Sequence, residues 1–232
     1  VFFETLRAPG EFAQAREAIG YIPWYFNLPD EKNGYAQAWK QVTEPKGFLA
    51  PYGLTTAERR HPLFRTHGCC NCEWDGAIWP FATSQTLTAM ANVLNNYKQD
   101  VVNDSIYFRH MELYVESQHH RGRPYIGEYQ DEVTGYWLKG DQERSRYYNH
   151  STFNDLIISG LVGLRPRADQ MLPDGKWDWF CLDNVPYHGK TITIVWDKTG
   201  EKYKRGKGFY VMVNGKVVAR ADNLTKLTYK MQ

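Results

Sequence analysis

The chain has 232 residues, enough for one large domain or two smaller ones. With 28 basic and 26 acidic residues its formal charge is +2, a balance that gives no electrostatic footing for a nucleic-acid or membrane partner. Aromatic residues make up 15% of the chain, 16 of them Tyr and 8 Trp, which points to stacking surfaces such as sugar sites, with large cores as the alternative.

The residue at position 1 is Val and not Met, so the natural start is expected to lie upstream. Pro9 to Ile19 reads as a helix, with Phe12, Ala15, Ala18 and Ile19 as its stripe and Gly20 as its stop. Tyr21 to Pro29 is aromatic and bounded by proline, which excludes a long helix. It either fills a core or lines a cleft, and in the second case Trp24 is a substrate contact. Tyr35 to Val42 reads as a second helix. Thr43 to Pro62 reads as loop, with a helical turn near Thr56 to Arg60.

The stretch Cys69 to Gln85 organises the chain. Two Trp, two carboxylates, a Gly and a Pro lead into a helix that continues through Tyr97, with Leu87, Met90, Ala91, Leu94 and Tyr97 on one buried face. Pro80 sits where a helix starts, because its missing N–H is an orphan there anyway. A further helix is expected from Val101 to about His119, carrying Ile106, Met111, Leu113 and Tyr114. The loop Arg121 to Gly140 holds the acids Glu128, Asp131 and Glu132, and a long helix is expected over about Asp141 to Leu161. Pro166, Pro173, Asp174 and Gly175 mark a linker. From Trp177 the period changes to strands: Thr191 to Trp196, then a Phe209–Val213 and Lys216–Ala219 hairpin around Asn214-Gly215. The organisation expected is a helical region over 1–165, a linker over 166–176 and a small antiparallel β region over 177–232.

Glycoside hydrolysis needs two carboxyl groups, one to protonate the leaving oxygen and one to activate water or attack. Asp75 and Glu128 are the catalytic candidates, and Asp75 lies beside two Trp. Glu128, in Tyr125-Ile126-Gly127-Glu128-Tyr129, lies among aromatic residues that desolvate a carboxyl group. At these residues the chain resembles a known family. Glu73-Trp74-Asp75-Gly76-Ala77-Ile78-Trp79-Pro80 is similar to the trehalase signature of Gln-Trp-Asp followed by Trp-Pro. The likeness extends through Ser84-Gln85, Tyr148-Asn149-His150-Ser151 and Asp155-Leu156-Ile157 to bacterial glycoside hydrolases with a mannosylglycerate hydrolase-like domain, relatives of trehalase and processing α-glucosidase.

The resemblance implies a mainly α fold, part of an (α/α)6 toroid of the six-hairpin glycosidase kind, followed here by a small antiparallel β-sandwich-like region. It implies an inverting glycosidase acting on an α-linked glucoside or mannoside, without a cofactor, located in the periplasm or secreted. Glu128 matches the general base. Asp75, Trp74 and Trp79 match the sugar-binding motif, and Tyr129, Asn149 and His150 are further contacts. Glu73 stands where the family has Gln. Too little chain precedes Asp75 to supply the family's general acid, for which Asp30 is the nearest candidate, and the helical pattern accounts for only about half of such a ring. The chain therefore reads as the C-terminal part of a larger enzyme, partnered by the N-terminal part.

Two other readings compete. One is a carbohydrate-binding fragment without catalysis. The other is a zinc-thiolate glycosidase like those acting on β-L-arabinofuranosides, with His67, Cys69, Cys70 and Cys72 as metal ligands. Arg144 and Arg146 read as a solvated face or as a clamp on an acidic substrate.

Overall fold

The computed structural model describes residues 11–66, 73–148, 152–164 and 177–230. The chain forms two compact units, Val1–Phe153 and Asn154–Gln232.

In the first unit helix α1 (Ile22–Tyr25) has Pro23 in its first turn. Around it Tyr21, Trp24, Trp39 and Phe48 form a closed aromatic core, the Tyr21 and Trp39 rings 4.3 Å apart and the Trp24 and Trp39 rings 5.6 Å apart edge to face. The segment Tyr35–Val42, expected as a helix, is a 3-10 helix that buries Trp39 and Val42. Among the described residues, 11 onward, the helix expected over Pro9 to Ile19 does not form. Residues 16–18 instead pair with the chain at 56–58: Ala18 N–H donates to the Thr56 carbonyl at 2.8 Å and Glu58 N–H to the Arg16 carbonyl at 3.0 Å. The turn expected near Thr56 to Arg60 follows directly, closed by the His61 N–H on the Glu58 carbonyl at 3.1 Å. The pairing leaves Glu58 buried between Arg16 (2.7 Å) and Arg60 (3.2 Å), so the buried charge is compensated. Among the described residues the first helical structure is Ala18–Tyr21, a single 3-10 turn.

Helix α2 (Pro80–Asn96) opens on Pro80 as the sequence predicts. Its burial goes well beyond one face. Leu87, Ala89, Met90, Ala91 and Val93 are buried together with Ala82, Thr83, Ser84, Thr86 and Asn92, so α2 runs through the middle of its unit. Asn92 donates to the carbonyls of Trp24 (3.1 Å) and Tyr25 (2.8 Å), tying α1 to α2. Helix α3 (Asp104–Ser117) is capped by the Asn103 side chain, which accepts from the Ile106 N–H at 3.0 Å. It buries Tyr107, His110, Met111, Leu113 and Tyr114. Two short hairpins flank these helices, β1 (Leu49–Ala50) with β2 (Gly53–Leu54), and β3 (His119–His120) with β4 (Arg123–Pro124).

The long helix expected over Asp141 to Leu161 is absent from the described residues. Glu143–Ser145 makes one 3-10 turn, Arg146 leaves it extended, and Tyr147 turns left-handed (φ 62) so that its N–H reaches the Ile126 carbonyl at 2.8 Å. A short α turn, Phe153–Asp155, and a π-helical turn, Leu156–Leu161, follow.

In the second unit strands β5 (Trp179–Tyr187), β6 (Lys190–Asp197), β7 (Gly208–Val213) and β8 (Lys216–Ala221) form one antiparallel sheet in sequential order. Phe180, Trp196 and Phe209 stand in register across it. Ile157, Val162 and Leu164 pack against this core, so the apolar face of the sheet is covered from within its own unit. Asn214 and Gly215 both have positive φ (48 and 76), as the two-residue turn requires. His188-Gly189 repeats the device between β5 and β6.

His110 lies almost wholly inside the first unit. Burial lowers its pKa from 6.5 to about 4, a hydrogen bond with the Val42 backbone partly offsets this, and Arg109 adds to the lowering. The native state thus stays unprotonated where the unfolded chain takes up a proton. Stability is expected to fall as pH drops from about 6.5 to about 4 and to change no further through this group below that. The loss amounts to about 3 kcal/mol at most. Denaturant unfolding across that window, compared with His110→Gln, checks it: the variant's stability should vary less with pH.

Candidate active site

The loop before α2 and the acidic loop after β4 are joined by backbone pairing. Ile78 N–H donates to the Gln130 carbonyl (3.0 Å) and Gln130 N–H to the Ile78 carbonyl (2.9 Å). Gln130 also bridges to Trp137, and its side-chain amide donates to the Ser117 carbonyl at the end of α3 (2.8 Å). In an antiparallel pair this sets Trp79 opposite Tyr129. The two rings stack 4.8 Å apart with planes 9° from parallel, and Trp74 stacks on the other side of Trp79 at 4.0 Å and 21°. Tyr129 and Trp79 are buried, whereas Trp74 is 42% exposed. The three aromatic residues predicted around the motif are therefore one stack, in which Trp74 alone offers substantial open surface. The Trp79 indole N–H donates to the Glu73 carbonyl (2.9 Å), which fixes its rotation.

Asp75 is partly exposed and paired with Arg65 at 2.5 Å. The Arg65 N–H donates to the Asp75 carbonyl (3.0 Å), and the next residue, Gly76, crosses Arg65 so closely that a Cβ would lie 2.1 Å from the Arg65 carbonyl oxygen. Gly76 is thus the residue that lets the Trp74-Asp75 turn lie on the 65 segment.

Glu128 is buried, with 7% of its surface open. Its Oε2 accepts from the Ser145 hydroxyl at 2.7 Å, and the Arg144 guanidinium stands 3.7 Å from the same oxygen. Gly127 before it lies against the Trp137 and Tyr125 rings, where a Cβ would meet Trp137 at 2.4 Å. The other acids of this loop are engaged differently. Asp131 Oδ1 accepts from the N–H groups of Val133 (2.9 Å) and Thr134 (2.7 Å) and from the Thr134 hydroxyl (2.9 Å), closing its own turn. Glu132 is hydrogen-bonded by the Thr66 hydroxyl. Among the described residues no hydrogen bond or ion pair joins Asp75 to Glu128.

Trp24 is not part of this constellation: it is 1% exposed and belongs to the aromatic core around α1. Asn149, His150, His67, Cys69, Cys70 and Cys72 lie outside the described residues. Among the described residues no group of three His, Cys, Asp or Glu could hold a metal ion, and no helix is long and apolar enough to cross a membrane. A small pocket in this unit lies beside the start of α2, lined by Ile78, Pro80, Thr83 and His110 among others, and neither Asp75 nor Glu128 lines it. Sequence reasoning missed Arg65 and Ser145, and it assigned Arg144 to a solvated face or a substrate clamp.

Residues 1–151 match the family described as "Mannosylglycerate hydrolase MGH1-like glycoside hydrolase domain". The chain belongs to this family. Residues 169–220 match "Glycosyl hydrolase family 65, C-terminal domain". A solved structure named "Sialidase" is 69% identical with a TM-score of 0.89, covering 97% of this chain and 21% of its own. The GH63 mannosylglycerate hydrolase from Thermus thermophilus, solved in complex with glucose, is 19% identical with a TM-score of 0.41, covering 59% of this chain and 30% of its own. An uncharacterized conserved protein from the same organism is likewise 19% identical, with a TM-score of 0.45 and the same coverage. The chain thus spans between about a fifth and a third of the length of these structures. For a member of this family, a helical unit followed by an antiparallel sheet fits part of a toroid with a β region appended.

The crossing at Gly76 yields a direct test. Gly76→Ala forces a methyl group into the Arg65 backbone and is expected to cost about 1–3 kcal/mol of stability. Denaturant unfolding measures it, and a midpoint unchanged from the wild type would show that the crossing is looser than described.

Proposed function

We propose that this chain carries the general base and part of the sugar site of an inverting glycosidase acting on an α-linked glucoside or mannoside. Glu128 takes a proton from a water molecule. The water oxygen bonds to the anomeric carbon as the C–O bond to the leaving group breaks on the opposite face. A general acid from the rest of the polypeptide protonates the departing oxygen. The observation that carries this reading is the setting of Glu128, buried beside the ring-stacked Tyr129 with its Oε2 held by the Ser145 hydroxyl and the Arg144 guanidinium beside it. Asp131 has its Oδ1 taken up by its own turn. Family membership supports the reaction class. The open face of Trp74 stacks on the apolar face of a sugar ring, and Asp75, ion-paired with Arg65, accepts from ring hydroxyls.

The test is a hydrolysis screen over α-linked disaccharides, glycerate glycosides and sialosides, using this chain alone and the full-length polypeptide, with proton NMR reading the anomer first released. The β-anomer is expected from α-glycosides, and only with the full-length protein. In that protein Glu128→Gln should lower kcat at least about 100-fold. Trp74→Ala should act mainly by raising KM, because stacking on the sugar is shared by ground and transition states. Full activity of Glu128→Gln overturns the assignment of the base. Release of sialic acid alone would move the reading to the activity for which the sialidase relative is named.

A further inference from the structure

The 3-10 turn Glu143–Ser145, expected to lie within a long helix with Arg144 on a solvated face or clamping an acidic substrate, supplies both groups that reach Glu128. Ser145 is 1% exposed, and its N–H donates to the Gln142 carbonyl at 3.1 Å, so the hydroxyl is delivered from a fixed backbone. The next residues lock the turn from the other side. Tyr147, left-handed at φ 62, donates its N–H to the carbonyl of Ile126, two residues before Glu128. The turn and the base are therefore braced against each other through both backbone and side chain.

We propose that Ser145 and Arg144 are positioning residues for the base: they hold Oε2 of Glu128, which leaves Oε1 as the oxygen that accepts the proton from water. This rests on the reading of Glu128 as general base. A carboxylate that can rotate about its terminal torsion presents either oxygen to solvent. One whose Oε2 accepts a short hydrogen bond from a buried hydroxyl, with a guanidinium beside the same atom, presents Oε1 in a single orientation. A hydrogen bond donated to a carboxylate favours its ionised form over the protonated one, and the ionised form is the one that accepts a proton. The order Arg144-Ser145 lets one turn provide a neutral donor from the buried side and a cation from the half-exposed side.

The experiment uses the full-length protein and reads kcat and KM across pH for Ser145→Ala, Ser145→Thr, Arg144→Gln and Glu128→Gln, on whichever glycoside the screen identifies. Ser145→Ala is expected to lower kcat about tenfold with KM little changed, and to move the acidic limb of the pH–rate profile to higher pH. Ser145→Thr, which keeps the hydroxyl, should retain the wild-type profile. Arg144→Gln, at a half-exposed position, should move the same limb in the same direction by less. Thermal unfolding of each variant separates loss of fold from loss of positioning, and if Ser145→Ala does not fold, Arg144→Gln decides. Glu128→Gln inactive, with the acidic limb unmoved in Ser145→Ala and Arg144→Gln, overturns the positioning role while leaving the base in place. Glu128→Gln fully active overturns the base, and the positioning role with it.

Discussion

The site depends on the backbone exchange between Ile78 and Gln130. Two amide hydrogen bonds contribute only about 1 kcal/mol each, so their importance lies in what they align. Pro80, two residues beyond Ile78, begins α2, and Gln130 is anchored through its side chain to the end of α3. The pairing therefore clamps the start of one helix and the end of the next onto the same short segment. It also sets Trp79 against Tyr129 with nearly parallel planes and so determines where Trp74 must lie. Breaking it would leave two buried amide pairs without partners and separate three rings whose stacking contributes a comparable amount again.

The acids of the first unit are buried by different devices. Glu58 has both oxygens held, one by the Arg16 N–H and the other by the Arg16 and Arg60 guanidinium groups. Asp131 is enclosed in its own turn. An uncompensated buried carboxylate costs several kcal/mol, so a chain that buries these groups must supply a donor for each. At Glu128 the supply comes from a turn about seventeen residues away, not from the loop itself.

What the sequence revealed follows from how local each signal is. Helix α2 is legible because Pro80 and the apolar spacing act within a few residues, and the β7–β8 hairpin because Asn214-Gly215 meets the positive φ of a tight turn on its own. The helix expected at Pro9 to Ile19 lost to pairing with a segment some forty residues away, and the one expected at Asp141 to Leu161 lost to a left-handed Tyr147 that reaches back to Ile126. Neither competitor leaves a mark in the local pattern. The aromatic residues show the same limit. Trp24 and Trp79 sit in equally aromatic surroundings, yet one closes a core and the other lies under Trp74. Ser145 has no local signature at all, since a serine is informative only once its partner is known.

Trp74 and Asp75 are adjacent, and their neighbours orient them by different means. Trp74 rests one face on a buried ring, so much of its rotamer freedom is already lost before a ligand arrives while its other face stays open. Asp75 is held by Arg65 on the same crossing that requires Gly76. A planar apolar surface beside an anionic acceptor matches what hexopyranoses share: a face of C–H groups and an edge of hydroxyls. Neither contact distinguishes one such sugar from another, because discrimination needs polar groups placed against particular hydroxyl configurations. On the proposed reading, the arrangement within this chain would recognise a sugar ring as a class. On that reading the groups that choose among sugars and linkages would come from elsewhere in the polypeptide, since the chain spans about a fifth of the length of the structure it matches at 69% identity.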